Sequence, residues 1–236
     1  MDLSSFESVR KAGQEIINAT SRLDYTFLNA GVMALDPSLS TDGYEIQFAI
    51  NHLGHALLTK LLLPTILKTA ALPDSDVRII VTTSSGYFLS PKGGILLDKL
   101  RTTQADLKPM ARYAQSKLAN IFYAAELSKH YPSVKSVSVA PGVTWSELFQ
   151  KAKYGNFIED FLYKTLIRAM NQPVEEGAWN MLWAAFSPKE GVVNGEYYDV
   201  PFGTVGKRNI EAKKESLAQE LWAWTEKELE KGGIKA

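Results

Sequence analysis

Four short runs, LDYTFLNA, DVRIIVTTS, VKSVSVA and NGEYYDV, are rich in β-branched and aromatic residues and nearly continuous in their hydrophobicity. That pattern predicts strands buried on both faces of a sheet, not strands with one wet side. Around them lie stretches with helical periodicity at Ser4–Thr20, Thr41–Lys68, Met110–His130, Val174–Phe186 and Asn209–Lys231. Strands separated by crossovers of about a dozen residues or more run parallel, with right-handed connections. The expected class is therefore α/β, a doubly wound parallel sheet. The last helix is amphipathic, with Leu217, Leu221, Trp224 and Leu229 on or near one side. No repeat, low-complexity tract or linker divides the chain, so residues 1–236 read as one domain.

Composition removes several function classes. The chain has 26 basic and 26 acidic residues, so no net field recommends nucleic acid or an anionic membrane as partner. A small-molecule substrate is expected instead. Cysteine is absent, which excludes disulfides and thiolate chemistry and fits a reducing compartment, hence a cytoplasmic location. The most apolar stretch, HALLTKLLLPTIL, is too short to span a bilayer. His52 and His55 in NHLGHA have no carboxylate at metal-ligand spacing and read as helix residues, and no G-x-S-x-G elbow accompanies Ser84 or Ser85.

Chemistry concentrates at the predicted strand ends. In YAQSK, Tyr113 and Lys117 lie four apart near the start of a helix and share a face, so an ammonium can sit beside a phenol and favour its ionised form. The same spacing recurs at Tyr131 and Lys135, but Pro132 lies between them and no helix aligns the pair. Ser84 and Ser85 follow the strand RIIVTT, Ala30 and Gly31 follow DYTFLN, and Ala140 to Val143 follow VKSVSV. In open parallel sheets ligands bind beyond the carboxyl ends of strands, so three such ends predict one crevice.

LNAG, NHLGHALLT, RIIVTTSS, YAQSKLAN and PGV occur in this order, and with them the chain resembles the short-chain dehydrogenase/reductases, in the retinol-dehydrogenase-like branch found in fungi. The resemblance runs from residue 2 to about residue 206. It implies an NAD(P)-dependent oxidoreductase that interconverts a carbonyl and an alcohol on a small, lipophilic or secondary-metabolite substrate. Tyr113 would be the general acid/base, Lys117 would lower its pKa and hold the nicotinamide ribose, and Ser84, with Ser85 as runner-up, would bind the substrate oxygen. Asn51 would fix the helix and a proton-relaying water. The cofactor, NADP or NAD with NADP favoured, would meet Asn29, Ala30 and Gly31 on its adenosine side, and Pro141, Gly142, Val143 and Ser146 beside the nicotinamide.

The opening DLSS resembles the segment closing the family's third strand, where an Asp meets the adenine, which adds Asp2 to the cofactor contacts. By that alignment the fold is expected to be Rossmann-like but N-terminally truncated, with the first two strands, most of the third and the Gly-rich pyrophosphate turn absent. LDYTFLNA would then be an open edge, inviting a homo-oligomer or edge-strand pairing. The alternative reading is a non-catalytic or fragmentary relative unable to bind the dinucleotide.

Overall fold

The computed structural model describes residues 1–144, 152, 160–162, 164–165, 168 and 172–231. Its first helix, α1 (Phe6–Ala19), starts at Ser5, whose hydroxyl accepts from the Ser8 N–H, while Asp42 accepts from the Phe6 N–H at 2.8 Å. Both contacts satisfy donors that a helix start leaves without partners. Strand β1 (Tyr25–Leu28) follows. A short turn at Ile46–Phe48 and a π-helical turn at Ala49–Leu53 then lead into α2 (Gly54–Ala70). After β2 (Arg78–Thr82), the long connection holds two 3₁₀ turns, Ser85–Leu89 and Leu97–Lys99. Helix α3 (Pro109–His130) opens with proline, whose missing N–H costs nothing at a first-turn position. The remaining elements are β3 (Lys135–Val139), α4 (Val174–Phe186), β4 (Tyr197–Asp199), β5 (Thr204–Val205) and α5 (Glu215–Lys231).

The strands form one sheet in the order β1-β2-β3-β4-β5, parallel except for the final antiparallel pair. Alternation along β2 decides which layer each side chain joins. Ile79 and Val81 point into the larger core with Leu28 and residues of α1, α2, α3 and α5, whereas Ile80 joins Val137 and Val139 against Met181, Ala184 and Ala185 of α4. Arg78 also lies on the α4 side, buried, donating to Asp76 and to the carbonyls of Ala184 and Ser187.

The α/β class and its parallel sheet are as the sequence predicts. Three local expectations differ. The stretch Thr41–Lys68 is not one regular α-helix, because Thr41–Glu45 lie before the helix and a π-helical turn at Ala49–Leu53 interrupts it. The hairpin to β5 carries no period-2 signal in its two exposed residues, Thr204 and Val205, and was not anticipated. β1 is not buried on both faces: Tyr25 and Phe27 are 39% and 40% exposed, since it is the edge strand.

Helix α5 is fastened to the rest by a buried carboxylate. Burial pushes the Glu228 carboxyl up, but hydrogen bonds from Lys231, Arg101 and Tyr44 outweigh it and hold it down at about 2. A carboxyl whose folded pKa is depressed stabilises the fold fully above its unfolded value of 4.5, and this contribution is lost as pH falls toward 2. Glu228→Gln is therefore expected to lower the melting temperature at pH 7 and to flatten its decline between pH 5 and pH 2. Thermal melts across that range check it; an unchanged acid limb would remove Glu228 from the account.

Candidate active site

Because β1, β2 and β3 run parallel with Leu28 level with Val81 and Val81 level with Ser138, the three chains leave the sheet side by side. The segments that follow them enclose a cleft of about 410 Å³, lined among others by Asn29, Ala30, Gly31, Thr83, Ser84, Tyr113, Lys117, Pro141 and Gly142. Helix α3 runs along the larger-core side and presents Tyr113 and Lys117, each only 4% exposed. The Lys117 ammonium lies 5.6 Å from the centre of the Tyr113 ring.

Ser85 is exposed in the 3₁₀ turn, while Ser84 lines the cleft and pulls the Tyr113 phenol downward. Its Oγ also accepts from the Gly86 N–H at 3.1 Å, which fixes the rotamer. Asn51 stands behind the cleft in the π-turn. Its side-chain Oδ1 accepts from the Val32 N–H at 2.8 Å, and its Nδ2 donates to the Val32 carbonyl and to Ser116 Oγ, each at 2.9 Å. Ser116 in turn donates to the Tyr113 carbonyl at 2.7 Å. One carboxamide thus ties the loop after β1 to the helix that carries Tyr113.

Two glycines permit this closeness. A Cβ on Gly31 would stand 3.0 Å from Asn51 Oδ1 and 3.5 Å from Lys117 Nζ. Gly142 has φ of 84°, a left-handed conformation that side chains resist, and a Cβ there would meet Gln172 Oε1 at 2.8 Å.

The other sequence-derived residues are placed less centrally. Val143 uses its carbonyl to accept from the Gln172 N–H at 2.9 Å, and Ser146 lies outside the described residues. The Asp2 carboxylate accepts from the N–H and hydroxyl of Ser4, at 2.8 and 2.7 Å, and is not brought into the cleft lining. Thr82, Thr144, Gly177, Ala178 and Met181 line the cleft without having been singled out in the sequence. Those from α4 arrive by packing across the sheet, a relation that no local motif records.

Burial dominates the electrostatics. It pushes the Tyr113 phenol up to about 12, against a downward pull from the Ser84 hydrogen bond, and it pulls Lys117 down to about 8. The expectation that the ammonium would hold the phenol below its ordinary value is therefore corrected: desolvation is the largest cause of the shift, and Lys117 is not among its causes. His55 is likewise held down at about 4 by burial, with the Asn51 carbonyl opposing and Lys117 reinforcing the shift.

Similarity to known proteins agrees with this arrangement. No protein-family model matches the chain. It is 35% identical over 234 residues to a short-chain dehydrogenase/reductase of Armillaria gallica, an alignment covering 96% of this chain and 71% of that one. The chain belongs to the short-chain dehydrogenase/reductases. Human retinol dehydrogenase 14 is 34% identical over 226 residues, 94% of this chain and 63% of that protein. The structure of NADPH-bound carbonyl reductase from chicken fatty liver superposes with a TM-score of 0.58 at 21% identity, over 88% of this chain and 75% of that one, a likeness of fold. The protein is thus an oxidoreductase of this family, and among its described residues no helix is long and apolar enough to cross a membrane.

The family implies a nicotinamide dinucleotide, and the residues present fit one. Lys117 has a hydrogen bond to the Thr82 carbonyl at 3.2 Å and no carboxylate contributing to its shift, which leaves ammonium N–H groups for ribose hydroxyls. Gly31 and Gly142 keep backbone close to the cleft with no side chain in the way.

A buried ammonium costs stability. From an unfolded pKa of 10.5 to about 8 in the fold, the shift corresponds to roughly 3 kcal/mol. This penalty is in full force below pH 8, where both states are charged, and vanishes above pH 10.5, where both are neutral. Lys117→Met is accordingly expected to stabilise the fold by about 1–3 kcal/mol at pH 7, with the gain disappearing near pH 11. Denaturant unfolding at both pH values measures it, and a destabilised variant at pH 7 would contradict the argument.

Proposed function

We propose that the protein interconverts a carbonyl and an alcohol on a small lipophilic substrate, with Tyr113 as proton donor and acceptor, Lys117 and Asn51 as its support and Ser84 as the hydrogen-bond partner of the substrate oxygen. The observation that carries this reading is the meeting of Ser84, Tyr113 and Lys117 at one end of a parallel sheet, in a cleft that Gly31 and Gly142 keep open to a flat ligand.

A nicotinamide dinucleotide supplies the hydride. Asn29, Ala30 and Gly31 would line its adenosine side, Lys117 would hold ribose, and Pro141, Gly142 and Val143 would flank the nicotinamide, with Ser146 near its carboxamide and Asp2 toward the adenine. NADP is the favoured form, and NADPH is the form carried by the chicken carbonyl reductase. A phenol pushed up to about 12 is protonated at neutral pH. It can give its proton to a developing alkoxide that Ser84 already holds, which suits reduction of a ketone or aldehyde. Once the proton has left, the nearby ammonium stabilises the phenolate in a site where water would otherwise compete.

Met181, Ala178 and Pro141 give the cleft an apolar wall, which supports a lipophilic substrate. The absence of cysteine supports a cytoplasmic setting. The open β1 edge with Tyr25 and Phe27 supports a homo-oligomer or other edge-strand pairing.

Tyr113→Phe separates proton transfer from binding. We expect kcat to fall by about three orders of magnitude while the calorimetric dinucleotide affinity stays within about threefold. Equal activity in the variant would move the proton chemistry to another residue. A parent chain that binds neither NAD(H) nor NADP(H) would remove the cofactor assignment.

A further inference from the structure

Asn120 ends the stretch YAQSKLAN one helical turn beyond Lys117, and the reading above gives it no role. It is 1% exposed. Its Nδ2 donates to the carbonyl of Asn51 at 3.0 Å and to the carbonyl of Thr82 at 2.9 Å, which spends both of its protons. Two carbonyl acceptors also fix the orientation of the amide, because the flipped form would set its oxygen against both of them.

Neither carbonyl is an ordinary one. Asn51 sits in the π-turn Ala49–Leu53, and its oxygen also receives His55 Nδ1 at 3.2 Å. Thr82 closes β2 on the side facing β1, but β1 ends at Leu28, opposite Val81, so the Thr82 carbonyl is left to side-chain donors. Those donors are Asn120 and Lys117 Nζ, the latter at 3.2 Å. The two side chains therefore share one acceptor.

We propose that Asn120 is a positioning residue of this site, one that holds the Asn51 and Thr82 carbonyls in place and, by sharing the latter, keeps the Lys117 ammonium turned toward the cleft and Tyr113. The inference rests on the proposed role of Lys117. Without Asn120 the Thr82 oxygen would have the ammonium as its donor, and the ammonium would settle on the strand. Three elements, α3, the π-turn and the end of β2, meet at this one carboxamide, which ties them more directly than the packing around it.

The titration of Lys117 reads this out independently of turnover. The groups facing Lys117 are the Tyr113 phenol on its own helix and His55 from α2, and burial alone accounts for its own downward shift. A stronger bond to the Thr82 carbonyl favours the charged form, so loss of Asn120 raises the Lys117 pKa. The experiment uses the full chain with lysines labelled at Nζ or Cε, the Lys117 resonance being the one missing from Lys117→Met. In Asn120→Leu the Lys117 midpoint should rise from about 8 by about one pH unit, in line with one strengthened hydrogen bond to a charged group. In Asn120→Asp, of the same shape, it should rise further as a carboxylate is added.

A Lys117 midpoint within about 0.2 units of the parent in a folded variant overturns the proposal. So does a fall in kcat with the midpoint unmoved, since that is what a merely structural role would give. If Asn120→Leu fails to fold, Asn120→Ala, which removes the same donors without adding charge, decides. In an active protein the pH profile of kcat should move in the same direction as the titration. A parent chain without activity sinks the functional reading alone, and the lysine titration still decides for or against Asn120.

Discussion

The parallel ladder joining β1, β2 and β3 is the constraint on which the site depends. Its register sets Tyr25 beside Arg78 and Arg78 beside Lys135, so the segments Asn29–Val32, Thr83–Ser84 and Ala140–Gly142 emerge at one level. A slip of one residue in β2 would exchange its two faces, sending Ile80 into the α1–α3 core and Val81 toward α4. The two cores pin that register, since Ile79 and Val81 belong to one and Ile80 to the other. The cleft is thus a consequence of how the hydrophobic residues of β2 are divided.

Polar groups complete what the apolar cores begin. Asn51, Ser116, Lys117 and Asn120 are all buried, and their hydrogen bonds run to backbone or to one another. Buried polar groups are costly unless satisfied, and satisfied ones admit few alternative arrangements. The Asn51 amide holds both the N–H and the carbonyl of Val32. That bidentate grip gives the loop after β1 a fixed position even though β1 itself is a partly exposed edge strand.

What the sequence made legible follows from the range of the forces involved. Strands β1 to β4 and helix α4 stand where the hydrophobic runs place them, because continuous apolar runs and helical periodicity report local geometry and burial together. The pairing of Tyr113 with Lys117 was visible because a helix fixes what lies four residues away. The π-turn at Asn51 was not, since one extra residue in a helical turn depends on partners such as Asn120 and Val32 that are distant in sequence. The same holds for Met181 and Ala178, which reach the cleft only because α4 packs on the far face of the sheet. The sign of the Tyr113 shift differs for a related reason: spacing reveals that an ammonium is near, but only the fold reveals that both groups are buried.

Burial also explains why the two shifts run in opposite directions. Burial penalises the charged form of each group, so it raises a phenol and lowers an ammonium together. At neutral pH the result is a protonated Tyr113 and a charged Lys117, a donor and a cation side by side with no carboxylate among the causes of either shift. A carboxylate in that place would neutralise the ammonium and leave a departing proton with nothing to stabilise the phenolate behind it. In the proposed reaction, loss of the phenol proton would leave a phenolate near the buried ammonium, and their attraction would develop where the charge does. The fold gives up stability to keep Lys117 buried, and in the proposed mechanism the interaction gained would be weak in the resting site and strong after proton transfer.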